Sequence, residues 1–173
     1  LDPIFWTYWE NDREAGVTIH WMNERVDAGN IAAQGTLRFE RGLPSRQLYM
    51  QLAIRGTELL DKVLGQVMSG DVQSQPQDEH LATYESSVGI AHARIPIEHW
   101  PAERVWHVLS GLGDQRTGLL ADASGQPLAH GEIASFRLSR DVTPGRIVPV
   151  TTGYEVHCPD GIVSVNRRSH GRS

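Results

Sequence analysis

GVTIHWMNERVDAGNI, residues 16–31, alternates residue types for seven positions and then breaks into a charged, small-residue turn. Val17, Ile19 and Trp21 fall on one face and Thr18, His20 and Met22 on the other, the period-two signature of a half-buried strand. The strand ends in a loop that carries Asp27, flanked by Ala28 and Gly29. Two readings fit that loop. In one, Asp27 forms an Asx turn, bonding a nearby backbone N–H while Gly29 supplies a positive φ. In the other, Asp27 is a carboxylate held at a strand's exit beside a ligand pocket, where α/β sheets commonly place their sites. There it would orient a histidine or a water during proton transfer. The local pattern leaves both open.

Working outward, residues 31–39 (IAAQGTLRF) read as a second strand. Upstream, Asp2 before Pro3 is a helix start, with a side-chain acceptor at the cap and proline at the first helical position. That helix runs to about Asn11, with Ile4, Phe5, Tyr8 and Trp9 available for burial. Downstream, Leu48, Leu52, Leu59, Val63 and Val67 lie near helical spacing and predict a long helix over 45–69, stopped by Gly70. The polar run GDVQSQPQDE (70–79) marks a linker. Beyond it PAERVWHVLSGL (101–112) predicts one helix. Short strands follow at 116–122, 128–138, 145–150, 153–158 and 161–165, with hairpin-like turns at DASGQ and PDG. Several short strands with one helix suggest a small barrel or sandwich. The tail NRRSHGRS reads as frayed.

The 173 residues suffice for one good core or two small ones. A hydrophobic share of 39% and a charged share of 21% are ordinary for a globular protein. No stretch approaches the ~20 apolar residues needed to span a bilayer. No signal peptide opens the chain, and a cytoplasmic setting is the expectation. The dense apolar opening LDPIFWTYWEND, without a starting Met, reads as the edge of a fragment whose upstream part is missing. Residues 1–86 carry 7 Lys/Arg against 13 Asp/Glu, and residues 87–173 carry 9 against 8. Neither half has the strong positive charge of a dedicated nucleic-acid binder.

The remaining chemistry-bearing residues are weak signals. The eight histidines are His20, His80, His92, His99, His107, His130, His157 and His170, and none forms H-x-x-x-H or H-E-x-x-H. His99 and His107 bracket a helix start at a spacing that is no known ligand pattern, so no metal site is expected. Cys158 is the one cysteine, which excludes an internal disulfide and a multi-cysteine zinc site; it reads as a small buried apolar group. Trp6, Trp9, Trp21, Trp100 and Trp106 read as core residues, and Arg167 with Arg168 as solvated charges. No glycine pattern supports a phosphate-cradling loop.

Taken together, three stretches resemble the formyltransferases that use 10-formyltetrahydrofolate, most of all the members that act on methionyl-tRNA. Gly16, Val17, Thr18, Met22, Asp27, Gly29 and Ile31 match the family's G-V-T-x-x-x-M-x-x-x-x-D-x-G-x-I. Pro76, Gln77, Asp78, Glu79, Ala82, Thr83 and Tyr84 match its P-Q-D-E…A-T-Y junction. More weakly, HARIPIEHWPAERV, PGRIV and CPDGIVSV resemble its later strands and helix. The resemblance covers nearly the whole chain. It implies an α/β protein: the C-terminal part of a Rossmann-like formyltransferase domain over 1–72, a linker over 73–86, and a small OB-like β-barrel domain over 87–168.

The resemblance also implies a formyl-transferring enzyme with 10-formyltetrahydrofolate as donor. Its typical acceptor is initiator methionyl-tRNA, in translation initiation and protein biosynthesis; the alternatives are an amino-sugar nucleotide or a non-catalytic member of the fold. Asp27 matches the catalytic aspartate, which works with an asparagine and a histidine of an upstream N-x-H motif. Those two stabilise the oxyanion, while the aspartate supports the imidazole and assists proton removal from the attacking amine. Met22, Asn23, Glu24, Val26, Asp27 and Ala28 line the pteridine pocket, largely through backbone contacts. No N-x-H occurs in this chain, and the family's H-P-S-x-L-P loop is absent too, so inactivity in isolation is expected. The family's N-P-W-P-G stretch is replaced by SGLGDQRTG, and the lysine that closely follows its A-T-Y tyrosine is missing.

Overall fold

The computed structural model of the chain describes residues 2–166 apart from 86, 90–93, 114, 115, 117 and 130. His92, His130, His170, Arg167 and Arg168 lie outside the described residues, as does the tail beyond Asn166. The elements are α1 (Pro3–Trp9), β1 (Glu14–His20), β2 (Ile31–Arg38), α2 (Ser45–Ser69), a single 3₁₀ turn (Glu79–Leu81), α3 (Ala102–Leu112), β3 (Ile133–Leu138), β4 (Arg146–Val150), β5 (Gly153–Cys158) and β6 (Gly161–Asn166). They group into two compact units. One comprises Leu1–Asn11, Arg41–Ser45 and Ser86–Ser173, the other Asp12–Glu40 and Arg46–Glu85.

In the first unit α1 begins as the sequence predicts. Asp2 Oδ1 accepts from Phe5 N at 3.0 Å, and Pro3 occupies the first turn. The helix stops at Trp9, two residues before the expected end, because Asn11 adopts a left-handed φ of 65°. Its buried residues are Phe5, Trp6, Tyr8 and Trp9, with Trp6 rather than Ile4 completing the set. Phe5 stacks on Trp9 with centroids 5.3 Å apart, and Trp9 meets Trp100 edge-on at 4.8 Å. Arg104 lies 3.8 Å over the Trp100 ring and donates to Trp9 O. The tryptophans 6, 9, 100 and 106 are thus packing residues, as read from sequence, while Trp21 is not among them.

Helix α3 packs against β3, β6 and β5. Pro101 has no side chain to cap it, and Asp160, at the tip of the β5–β6 turn, accepts from Ala102 N at 2.7 Å instead. The hairpin therefore closes the helix's open N–H end. Val156 and Cys158 from β5 and Val163 and Val165 from β6 are essentially inaccessible. Burial pushes the Cys158 thiol up to about 12, with the Asp160 carboxylate adding to it, so it is no thiolate nucleophile.

The strand order is β3-β6-β5-β4, all antiparallel, and the sheet is open. The expected barrel is therefore not seen: among the described residues no pairing joins β3 to β4. The segment expected as a further strand, 116–122, forms none among its described residues. Gly118 takes a φ of 91°, and Asp122 Oδ1 collects Ser124 N, Ser124 Oγ and Gln126 N into a turn. Leu119 and Leu120 are buried there all the same, on a backbone that forms an Ala121–Pro127 bridge and accepts from Ile95 N and Leu128 N.

In the second unit β1 and β2 form an antiparallel hairpin running from Glu14↔Arg38 to His20↔Ile31. No parallel pair occurs among the described strands. Helix α2 crosses the hairpin where both surfaces are small. A Cβ on Gly35 would meet Arg55 Nε at 2.8 Å and Leu59 Cδ1 at 3.2 Å, and one on Gly56 would meet Val17 at 3.3 Å. Leu48, Leu59 and Val63 are buried, but Val67 is 44% exposed, contrary to the helical pattern. At the C-terminus Gly70 takes a φ of 74°. Its N–H reaches Val67 O and that of Asp71 reaches Gln66 O, the paired bonds of a Schellman stop.

Gly111 on α3 faces the ring of the fully buried Tyr8, and a Cβ there would overlap the ring carbons. An alanine in mid-helix normally gains ~1 kcal/mol over glycine. Here overpacking a closed core, at about 1–3 kcal/mol, outweighs it. Gly111→Ala should therefore lower the urea midpoint at unchanged m-value; a raised midpoint would show that Tyr8 moves aside freely.

Candidate functional site

The site is the loop that joins β1 to β2. Its base is made by irregular pairing: the register shifts between Ile19 and His20, and Trp21 N donates to Asn30 O at 2.9 Å. Gly29 then passes directly over Trp21. A Cβ on Gly29 would collide with Trp21 O, a backbone atom that cannot swing away. Glycine at 29 is therefore required by close approach. The positive φ expected of Gly29 belongs instead to Asp27, at 53°. Aspartate is among the few non-glycine residues that enter this region readily.

That conformation changes what the Asp27 side chain does. Among the described residues no backbone N–H donates to its carboxylate, so the Asx-turn geometry is not formed at Asp27. Asn23 makes that turn, its Oδ1 accepting from Arg25 N at 2.9 Å. The Asp27 carboxylate is 77% exposed and points toward His20, with Oδ1 3.8 Å from Nε2. His20 Nδ1 lies 3.0 Å from Trp21 O. A carbonyl can only accept, so Nδ1 carries a proton, and Nε2 is the nitrogen on the Asp27 side.

The segment read as a linker shapes this loop. Gln77 Nε2 donates to both Asp27 O and Gly29 O, each at 2.7 Å. Gln75 and Ile31 exchange backbone bonds of 2.7 and 2.8 Å, extending the edge of β2. Arg25 Nη1 meets Glu79 Oε1 at 2.6 Å, and this contact holds the Glu79 carboxyl below its usual range. Asp78 in turn caps the short turn at His80 N. The two sequence stretches paired by resemblance are thus bonded to each other in space.

Of the candidate residues, Met22 and Val26 expose 92% and 91% of their surface, and Asn23, Glu24 and Asp27 are exposed as well; Ala28 is half-buried. An apolar pair presented beside free backbone is what a flat heteroaromatic ligand would cover. His20, Gln77 and the Arg25–Glu79 pair carry geometry that strand and loop patterns do not single out. The signal available for His20 was its position seven residues before Asp27 across a strand end. Among the described residues no three His, Cys, Asp or Glu side chains gather as metal ligands would. His107, the other inward histidine, accepts from Gly42 N at 2.9 Å through Nδ1 and packs on Tyr8. A cleft of about 320 Å³ in the first unit, lined by Arg94, Ile97, Glu98, Leu120 and Asp122 among others, contains none of these residues.

Residues 1–64 match the sequence model described as formyl transferase. The chain is 30% identical over 112 residues to the methionyl-tRNA formyltransferase of Staphylococcus aureus (strain MW2), a match covering 64% of this chain and 35% of that one. It thus spans well under half the length of the curated relatives it matches.

In three dimensions the chain resembles HypX from Aquifex aeolicus, solved with tetrahydrofolic acid. The TM-score is 0.65 at 18% identity, over 97% of this chain and 30% of that one. It also resembles the N-formyltransferase from Helicobacter canadensis, solved with folinic acid and dTDP-3-aminofucose. That TM-score is 0.66 at 15% identity, over 95% of this chain and 59% of the other. At these identities the likeness is one of fold, and it extends through both units.

The clamp makes a local prediction. Gln77→Leu removes two donated bonds at about 0.5–1.5 kcal/mol each. The Trp21 and Ile31 amides should then exchange with deuterium about tenfold faster while the global urea midpoint barely moves. Unchanged exchange would mean that the loop holds its shape without Gln77.

Proposed function

We propose that the Asp27 loop is the aspartate-bearing part of a formyltransferase site, taking its formyl group from 10-formyltetrahydrofolate and passing it to an amine. The observation that carries this reading is Asp27 itself. Its backbone is held in a left-handed conformation by Gln77, and its carboxylate is free, within the stretch that matches the family.

The residues present fit the donor. Met22 and Val26 offer apolar contact to a pteridine, and the backbone of Asn23, Glu24 and Ala28 offers polar atoms along its edge. The bound folate would supply the formyl carbon. Asp27 would hold the acceptor amine and accept or relay its proton, because an amine adding to a carbonyl must lose one. The matching asparagine and histidine of the family are not among these 173 residues.

Initiator methionyl-tRNA is the acceptor favoured by the curated relatives, which would set the protein in translation initiation and in the cytoplasm. No helix among the described residues is long and apolar enough to cross a membrane. An amino-sugar nucleotide is the second reading. The near-neutral balance of residues 87–173 favours it, since a surface gripping tRNA phosphates carries clear positive charge. An OB-like role for residues 87–168 belongs with the tRNA reading and rests on resemblance.

Asp27→Asn keeps the left-handed backbone accessible and removes the base. In the intact protein it should cut formyl transfer by about 10²-fold or more with an unchanged unfolding midpoint. Wild-type turnover in that variant would return Asp27 to a turn residue. With tRNA as acceptor, affinity should fall steeply between 50 and 200 mM salt, as expected at roughly these concentrations for several phosphate contacts. Salt-insensitive activity confined to amino sugars would favour the second reading.

A further inference from the structure

We infer that Gln77 is a positioning residue of the formyl-transfer site, and that the rate depends on it through the backbone of Asp27. The inference deepens the formyl-transfer reading and rests on it for the reaction. Gln77 lies beyond residues 1–64, the part of the chain that matches the family's sequence model, so that match does not include it.

The carboxylate of Asp27 does not hold its own direction. It is 77% exposed, and the His20 Nε2 that it faces stands 3.8 Å away, beyond hydrogen-bond length. No backbone N–H among the described residues donates to it. What aims the carboxylate is therefore the Cα–Cβ bond, whose direction the backbone sets. That backbone has a φ of 53°, in the region where the Cβ of any residue but glycine crowds the next carbonyl oxygen. A side chain stays in such a conformation only where its surroundings hold it.

Gln77 supplies the hold. Its Nε2 donates to Asp27 O and to Gly29 O at 2.7 Å each, toward the short end of the N–H···O range. Rotation of the peptide that follows Asp27 breaks the first of these bonds. The amide is itself delivered from a fixed backbone. Before it, Gln75 and Ile31 exchange bonds of 2.7 and 2.8 Å; after it, Asp78 accepts from His80 N at 3.0 Å. The Arg25–Glu79 ion pair is exposed and adds little. The Met22–Val26 half of the loop has separate supports, Trp21 N on Asn30 O and the Asn23 turn at Arg25 N. Loss of the amide should thus displace Asp27 and leave the half that faces the donor in place.

The test uses two variants. Gln77→Leu removes both donors, while Gln77→Glu keeps the shape and sets a carboxylate, which cannot donate, against the two carbonyls. In the 173-residue chain, Asp27 should show the strong intraresidue H–N to Hα Overhauser contact of a left-handed residue, and Gln77→Leu should weaken it. In the intact protein Gln77→Leu should lower kcat about tenfold, as a small misplacement of a catalytic group does, with the KM for the folate donor unchanged. In an Asp27→Asn background it should lower kcat no further, because it acts through the group already removed. Measured against wild type at each pH, Gln77→Glu should recover as the pH falls and its introduced carboxyl gains a hydrogen to donate, while Gln77→Leu stays flat. Wild-type kcat in Gln77→Leu, a loss that adds to that of Asp27→Asn, or a pH-independent ratio for Gln77→Glu overturns the role of Gln77. The formyl-transfer reading survives each of these as long as Asp27→Asn cuts transfer. If the intact wild-type protein transfers no formyl group, that reading falls and the Overhauser contact decides alone: its weakening in Gln77→Leu supports the hold on Asp27, and its persistence overturns it.

Discussion

One side-chain amide determines the geometry of the candidate site. Gln77 donates both amide hydrogens, one to the carbonyl of Asp27 and one to that of Gly29. Those two carbonyls belong to the 27–28 and 29–30 peptides, so the amide ties the peptide that follows the left-handed Asp27 to the one that follows Gly29. The Asp27 carboxylate leaves the loop toward His20. The same segment adds the Gln75–Ile31 bonds and the Arg25–Glu79 pair, which stop the loop from sliding along the hairpin. An exposed ion pair alone is worth little. Here it supplements four directed hydrogen bonds, and the hydrogen bonds set the shape.

Close packing enforces the same economy elsewhere. Glycines stand where two backbones or a backbone and a ring must touch: Gly29 against Trp21 O, Gly35 and Gly56 at the crossing of helix and hairpin, Gly111 against Tyr8. At Gly29 and Gly111 a methyl group has no room; at Gly35 and Gly56 it would push a neighbouring side chain aside. In the first unit the aromatic cluster around Phe5, Trp9 and Trp100 supplies the apolar area, and Arg104 closes it with its guanidinium flat on Trp100. Asp160 joins the sheet to α3 by capping it, so the turn that makes the hairpin also completes the helix.

Most elements were legible because their signals are local. The Asp2-Pro3 start, the Gly70 stop, the two-residue turn at Pro159-Asp160 and the α3 helix each depend on a few neighbouring residues, and each stands where the pattern put it. The misreadings came from positions where local pattern and long-range contact disagree. Val67 keeps helical spacing yet stays exposed, and 116–122 keeps strand composition yet folds into turns around Gly118 and Asp122. Asp27 and Gly29 exchanged roles, because the need for glycine at 29 comes from Trp21 O, eight residues back in sequence and adjacent in space.

The sequence by itself determined the hairpin, the long helix, the aspartate at the strand's exit and the resemblance of residues 16–31 and 76–84 to formyltransferases. These follow from periodicity, capping and a motif whose residues are close together in the chain. Only the tertiary structure decided that Asp27 is left-handed with an exposed carboxylate, that His20 faces it, and that Gln77 holds the loop from 50 residues away. Hydrogen-bond direction and atomic overlap decide those features. They depend on which atoms meet in space, and no spacing along the chain encodes that.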